Sequence, residues 1–111
     1  MKTQDAVLKI FVHESLMRYV QRLVAETRRH PHAAFGSSPR GSLHLVRASQ
    51  ALAAIRRHSF VTPDHIKDLA IPVLAHRIQV KPHSRVQGVD GPRVVEEVVR
   101  KVEVPVDFEP R

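Results

Sequence analysis

Two stretches of this chain share the local pattern that begins a helix: a hydroxyl residue, then proline, then a charged residue. They are Ser38-Pro39-Arg40 and Thr62-Pro63-Asp64. Proline suits the first turn of a helix because the N–H that it lacks would have no partner there. A Ser or Thr just before it can accept a hydrogen bond from a free backbone N–H. The sequence therefore predicts a helix after each stretch, with Ser38 and Thr62 as caps and Pro39 and Pro63 as first residues.

Apolar residues recur at helical spacing behind both starts and in two further segments. The pattern predicts four helices, over residues 12–30, 38–57, 62–79 and 92–102. The last is rich in valine, so a strand is the competing interpretation, but the apolar spacing favours a helix. The predicted fold class is all-α, a small bundle of four helices or slightly more.

The second predicted helix has a wide apolar surface that includes Leu43, Leu45, Leu52 and Ile55, so we expect it to be the most buried. The segments 32–37 and 81–92 are predicted as loops, with short extended pieces around Val80, Val86 and Val89. The predicted domain spans residues 12–104. Residues 1–11 are predicted as the end of a preceding segment or a short N-terminal helix, and 105–111 as a tail.

The composition limits the chemistry that the chain can perform. It has 111 residues, which suits one domain, and no cysteine, which excludes disulfides and thiolate metal sites. The formal net charge of +7 is compatible with a polyanionic partner such as DNA, RNA or a nucleotide. No apolar run approaches the length of a membrane span, so we expect no span.

Sequence motifs of catalysis are missing. The chain has no G-x-x-x-x-G-K-[ST] phosphate loop, no G-x-S-x-G nucleophile turn and no H-E-x-x-H metal motif. Its eight histidines are scattered, apart from His30-Pro31-His32, and are interpreted as solvated or hydrogen-bonded rather than metal-binding. We therefore predict no catalytic residue and no metal site, and expect that this chain alone neither binds ATP tightly nor hydrolyses it.

Arg40 is the residue best placed to bind a ligand. It lies in the first turn of a predicted helix, where free N–H groups and the helix dipole favour an anion. An arginine is always charged and can grip a phosphate with two hydrogen bonds. The plainer interpretation is an exposed arginine next to a well-formed helix start.

Several motifs, in order, resemble the lid domain of MoxR-family AAA+ ATPases. The stretch from Gly36 to Gly41 resembles the family's G-x-S-P-R-[AG] motif. Four other matches have the family's order: 19–28 with YI-x-x-LV-x-x-TR followed by His-Pro, 60–64 with YVTP-[ED], 72–77 with PVL-x-HR, and 86–89 before the Val-rich helix. The resemblance covers roughly residues 12–106.

The resemblance implies a C-terminal helical lid in which Arg40 is the second nucleotide sensor, contacting the terminal phosphates of ATP. ATP and Mg²⁺ would be held by a core domain of the same protein, outside this chain. The implied machine is a chaperone-like cytoplasmic ATPase whose subunits form a ring, commonly of six. A protein with a von Willebrand factor A-type domain is an implied partner.

Two residues depart from the family pattern. His65 stands where an acidic residue is common, so we expect the reciprocal half of a capping box to be lost. Gly41 replaces a common Ala, which we expect to weaken the helix by about 1 kcal/mol or less.

Two other functions stay open. One is a basic helical module that binds nucleic acid, although the Ala- and Leu-rich second helix argues against it. The other is a protein-interaction domain that docks through the face from Leu43 to Ile55.

Overall fold

The computed structural model describes residues 9–110. Five helices run in the order α1 (Glu14–Arg29), α2 (Arg40–Ile55), α3 (Pro63–Leu74), α4 (Pro82–Val86) and α5 (Gly91–Lys101). A short 3-10 turn, Ala75–Arg77, follows α3. Strand β1 (Ala33–Phe35) pairs antiparallel with β2 (Gln79–Val80), with Ala33 opposite Val80. The predicted helical bundle is confirmed, with the addition of this small sheet.

The core lies between α1, α2, α3 and α5. Each helix contributes an apolar face whose residues repeat at helical spacing, and these side chains pack into one cluster. Its fully buried large members include Leu16, Tyr19, Leu23, Leu45, Ile66 and Leu74. The valine-rich segment forms a helix, as predicted, and buries Val94, Val95 and Val98 while Asp90 caps its start.

The buried face of α2 differs from the prediction. Leu43 and Ile55 were expected in the core, but they are 56% and 78% exposed. Besides Leu45 and Val46, the buried face carries small and polar residues: Gly41, Ser49, Gln50 and Ala53. Small side chains on this face let α3 approach closely, so burial follows the position of the neighbouring helices and not the size of the apolar residues.

The segments around the two strands also correct the prediction. The third helix ends at Leu74 and not near Gln79, because the chain turns through the 3-10 segment into β2. The N–H of Lys81 donates to the carbonyl of His32 at 2.9 Å, which joins two segments predicted as loops. Val86 is not extended but ends the short helix α4, with 88% of its surface exposed.

Both ends of the described chain lie on the bundle. Phe11 bridges to the segment before α3, because the N–H of Val61 donates to the carbonyl of Phe11 at 2.8 Å. Near the other end, the hydroxyl of Ser15 donates to the carbonyl of Asp107 at 2.7 Å, and Phe108 packs against the core. Most of the predicted N-terminal segment, residues 1–8, lies outside the described residues. Over residues 9–110, no helix is long and apolar enough to cross a membrane.

Candidate functional site

The segment before α2 is held by the last turns of α1. The hydroxyl of Thr27 accepts a hydrogen bond from the N–H of Ser37 at 3.0 Å and donates to the carbonyl of Val24 at 2.6 Å. The guanidinium of Arg28 donates to the carbonyl of Ser37 at 3.2 Å. Because Thr27 and Ser37 are fully buried, the two bonds of the Thr27 hydroxyl are shielded from water. The two motifs that contain these residues are therefore joined directly.

Gly36 allows this close approach. A Cβ atom at position 36 would lie 2.4 Å from the backbone N of Arg28 and 2.5 Å from the carbonyl carbon of Thr27. Backbone atoms on a helix cannot move aside as a flexible side chain can. The glycine is therefore required by the contact between the loop and α1.

Gly41 has a packing role that the sequence did not show. Its Cα is buried, and a Cβ there would lie 2.0 Å from the Oγ of Ser37 and 3.2 Å from the Cδ2 of Leu74. The hydroxyl of Ser37 donates to the carbonyl of Ser38 at 3.1 Å, a position that an alanine at 41 would disturb. Glycine has a lower helix propensity than alanine, but the absence of a Cβ atom at position 41 lets α2 pack closely against α3.

The predicted cap of α2 is wrong. Pro39, with helical angles of φ −56° and ψ −24°, is the capping residue, and within the described chain no side chain bonds to the first N–H groups. The backbone makes the first turn instead, because the N–H of Gly41 donates to the carbonyl of Ser38 at 2.9 Å. Ser38 itself is exposed. Pro39 thus has helical backbone angles and directly precedes Arg40, the first residue of α2.

Arg40 is the first residue of α2 and is exposed. Within residues 9–110 its guanidinium has no hydrogen bond or ion pair; the same is true of Arg47, so what distinguishes Arg40 is its place at the helix start. An unpaired guanidinium at the positive end of a helix dipole is suited to an external anion such as a phosphate.

An apolar groove lies beside this arginine, between α1 and α2. Its volume is about 230 Å³ and its lining includes Met17, Pro39, Leu43 and Val46. Met17 and Leu43 are 40% and 56% exposed. The surface near Arg40 therefore combines a free cation with solvent-exposed apolar side chains.

His30 and His32 connect the end of α1 to the C-terminal half of the chain. His30 bonds through Nε2 to the carboxylate of Glu97 at 2.6 Å, and its Nδ1 accepts from the N–H of His32 at 3.1 Å. His32 contacts the hydroxyl of Ser84 at 2.7 Å. The hydrogen bond from His30 lowers the pKa of Glu97. His30 and His32 therefore connect the end of α1 to α4 and α5. Within residues 9–110, no cluster of three metal-ligating side chains occurs.

His65 corrects a second prediction about capping. The N–H of Thr62 donates to Nδ1 of His65 at 3.0 Å, so the reciprocal half of the capping box is present. A neutral imidazole nitrogen has a lone pair in the plane of the ring, and here it takes the place of a carboxylate oxygen. The expected loss of this bond is therefore wrong.

The sequence profile of the AAA lid domain matches residues 25–98. The chain is 36% identical over 103 residues to the uncharacterized protein YeaC of Bacillus subtilis, covering 93% of this chain and 32% of that protein. It is 29% identical to Chaperone MoxR1 of Mycobacterium tuberculosis, covering 95% of this chain and 30% of that protein.

A solved structure of a protein from Cytophaga hutchinsonii, assigned as an ATPase, superposes with a TM-score of 0.86 at 27% identity. The match covers 91% of this chain and 33% of that one. The chain thus spans about a third of the length of these relatives. It belongs to the AAA lid domain family. Within that family, it is a lid of the MoxR type of AAA+ ATPase.

Proposed function

We propose that this chain is a nucleotide-sensing lid in which Arg40 contacts the terminal phosphates of ATP bound by a separate core domain. The observation that carries the proposal is the exposed guanidinium of Arg40 at the start of α2, which has no hydrogen bond or ion pair within residues 9–110. The positive end of the dipole of α2 lies there and favours the same anion. The family membership of the chain supports ATP as the ligand.

The connection of Arg40 to the bundle supports a role in movement as well as in binding. Arg40 follows a segment that Gly36 and Ser37 fix against α1, through the bonds to Thr27 and Arg28. A force on the guanidinium is therefore transmitted to α1 and α2 together. In this proposal, gain or loss of the terminal phosphate rotates the lid as one body and couples hydrolysis to lid motion.

The groove beside Arg40 is the surface that we assign to the core domain. Leu43 lies one helical turn after Arg40, so a domain that brings phosphate to Arg40 also comes close to Leu43 and Met17. Covering these side chains would remove apolar surface from water, which favours the closed arrangement. The predicted docking role of Leu43 is thus included in the lid function.

The remaining parts of the proposal rest on the resemblance to MoxR proteins. The core domain would bind Mg²⁺ with ATP and make the whole protein an ATPase. Its subunits would form a ring of six and act as a chaperone-like machine in the cytoplasm, with a von Willebrand factor A-type protein as partner. The name of the relative Chaperone MoxR1 supports the chaperone-like role.

The test is to measure ATP turnover and nucleotide affinity of the ATPase that contains this lid, with Arg40→Ala and Arg40→Lys. Loss of a cation at the transferring phosphate is expected to slow turnover on the order of a hundredfold. Lysine keeps the positive charge but cannot make the bidentate hydrogen bonds of a guanidinium, so we expect Arg40→Lys to retain partial ATP turnover.

Arg47→Ala is the matched control, because Arg47 is exposed on the same helix two turns further on. It should leave turnover close to wild type. Turnover and nucleotide affinity that are unchanged in folded Arg40→Ala would refute the sensor role.

A further inference from the structure

The corner between α2 and α3 brings two histidines together. After α2, the N–H of Arg57 donates to the carbonyl of Ala54 at 3.0 Å and the N–H of His58 to that of Ala53 at 2.8 Å. Arg57 takes a left-handed conformation, φ 60°, that lets this Schellman turn close. The turn places the ring of His58 against that of His65, with centroids 5.1 Å apart.

The hydrogen bonds at this corner fix where the protons are. Nδ1 of His65 accepts from the N–H of Thr62 at 3.0 Å, so it has no proton. The proton of neutral His65 is therefore on Nε2, which lies 2.9 Å from Nδ1 of His58 and donates to it. The bonds form one directional chain, from Thr62 through His65 to His58, and both accepting nitrogens must stay unprotonated.

The surroundings disfavour a proton on His65. Its side chain is 1% exposed, whereas His58 lies at the surface. Burial is the main cause that lowers the pKa of His65, followed by nearby His58 and Arg56, while Asp68 and Asp64 oppose the shift. Asp68 is paired with Arg56 at 3.2 Å, which reduces the influence of its negative charge.

We propose that His58 and His65 form a proton-operated switch at the start of α3. A proton on Nδ1 of His65 would remove the acceptor for the N–H of Thr62, and one on Nδ1 of His58 would remove the acceptor for Nε2 of His65. Either event breaks the chain of hydrogen bonds and places two N–H donors against each other. Acidification thus opens the capped corner between α2 and α3, independently of Arg40.

The direction of the pH effect follows from the lowered pKa of His65. The unfolded chain takes up a proton near the ordinary histidine value of 6.5, before the folded chain does. The stabilising contribution is therefore fully present above that value and is lost as the pH falls toward the pKa of the folded state.

Nuclear magnetic resonance of the 111-residue chain tests the mechanism directly. We expect His65 to be the Nε2–H tautomer at pH 7.5. On acidification, the amide signal of Thr62 should shift with the same midpoint as the ring of His65. An Nδ1–H tautomer, or a Thr62 amide that does not follow the ring, would overturn the proposal.

Urea unfolding of His65→Gln tests the effect on stability. Gln can accept from the N–H of Thr62 but does not titrate in this range. We expect its unfolding midpoint to fall less between pH 7.5 and 5.5 than that of wild type. The control, His44→Gln at an exposed position on α2, should fall as wild type does. An equal fall in all three proteins would argue against the switch, and a poorly folded His65→Gln leaves the wild-type titration to decide.

Discussion

Helices α2 and α3 begin with similar local sequences, but different parts of the molecule complete the two starts. At α3, the bond from Thr62 to His65 lies within the helix start itself. At α2, the preceding loop is held by Thr27 and Arg28 of another helix, and Ser38 makes no cap. The start of α3 is therefore held by its own residues, whereas the start of α2 is held by residues of α1.

This difference separates a structural site from a candidate binding site. A capped helix start has used its free N–H groups and has less to offer a ligand. At the start of α2, a ligand can reach the exposed guanidinium of Arg40, while Thr27 and Arg28 hold the loop behind it. The comparison indicates that hydrogen bonds from α1 hold the start of α2 in place without covering Arg40.

The largest expected effect on this comparison comes from Gly36→Ala. The new Cβ would overlap backbone atoms of Thr27 and Arg28, so the loop must move away from α1. We expect the free energy of unfolding to fall by about 2–3 kcal/mol, as for overpacked interiors, measured by urea denaturation.

Gly88→Ala separates steric overlap from backbone strain. Gly88 has φ 91°, but a Cβ added there would meet no atom of the described residues within 4 Å, so only the conformational penalty of about 1 kcal/mol applies. Equal losses in the two variants would mean that the contact of Gly36 with α1 does not hold the loop.

Thr27→Val should have the next largest effect. Valine fills nearly the same space, but the buried N–H of Ser37 loses its acceptor. An unsatisfied buried donor costs about 2 kcal/mol, which thermal or urea unfolding can resolve.

Thr27→Ser is the companion variant, because it keeps the hydroxyl and removes one methyl group. We expect it to lose about 0.8 kcal/mol from reduced burial. A Val variant that is as stable as wild type would show that α1 does not fix the start of α2 through this hydroxyl.

Ser38→Ala should have the smallest effect. The hydroxyl of Ser38 is exposed and caps nothing in the described chain, so we expect a change within about 0.5 kcal/mol. Asp90→Ala is the matched positive control, because Asp90 accepts from the N–H of Arg93 at 2.9 Å, and loss of such a cap costs about 1 kcal/mol. A similar loss of unfolding free energy in both variants would show that Ser38 caps α2. The difference between the starts of α2 and α3 would then not hold.

The local sequence predicted the four long helices well. Proline before or within a first turn and apolar residues at helical spacing are properties of neighbouring residues, so they can be read without the fold. The same signals located Arg40 at a helix start.

Other features were missed because they depend on partners distant in the sequence. The strands β1 and β2 are too short for a clear alternation and form only because they meet each other. Leu43 and Ile55 resemble core residues in the sequence, but no helix covers them in the described structure. Burial is decided by which elements meet, and that information is absent from a local window.

The sequence by itself determined where the four long helices begin and which arginine begins α2, because capping, proline geometry and apolar spacing act over a few residues. Only the tertiary structure decided that Thr27 supports that start, that Gly36 and Gly41 allow close contact, and that His65 completes a capping box. The physical reason is that a hydrogen bond or a steric overlap between distant residues exists only after the chain has folded.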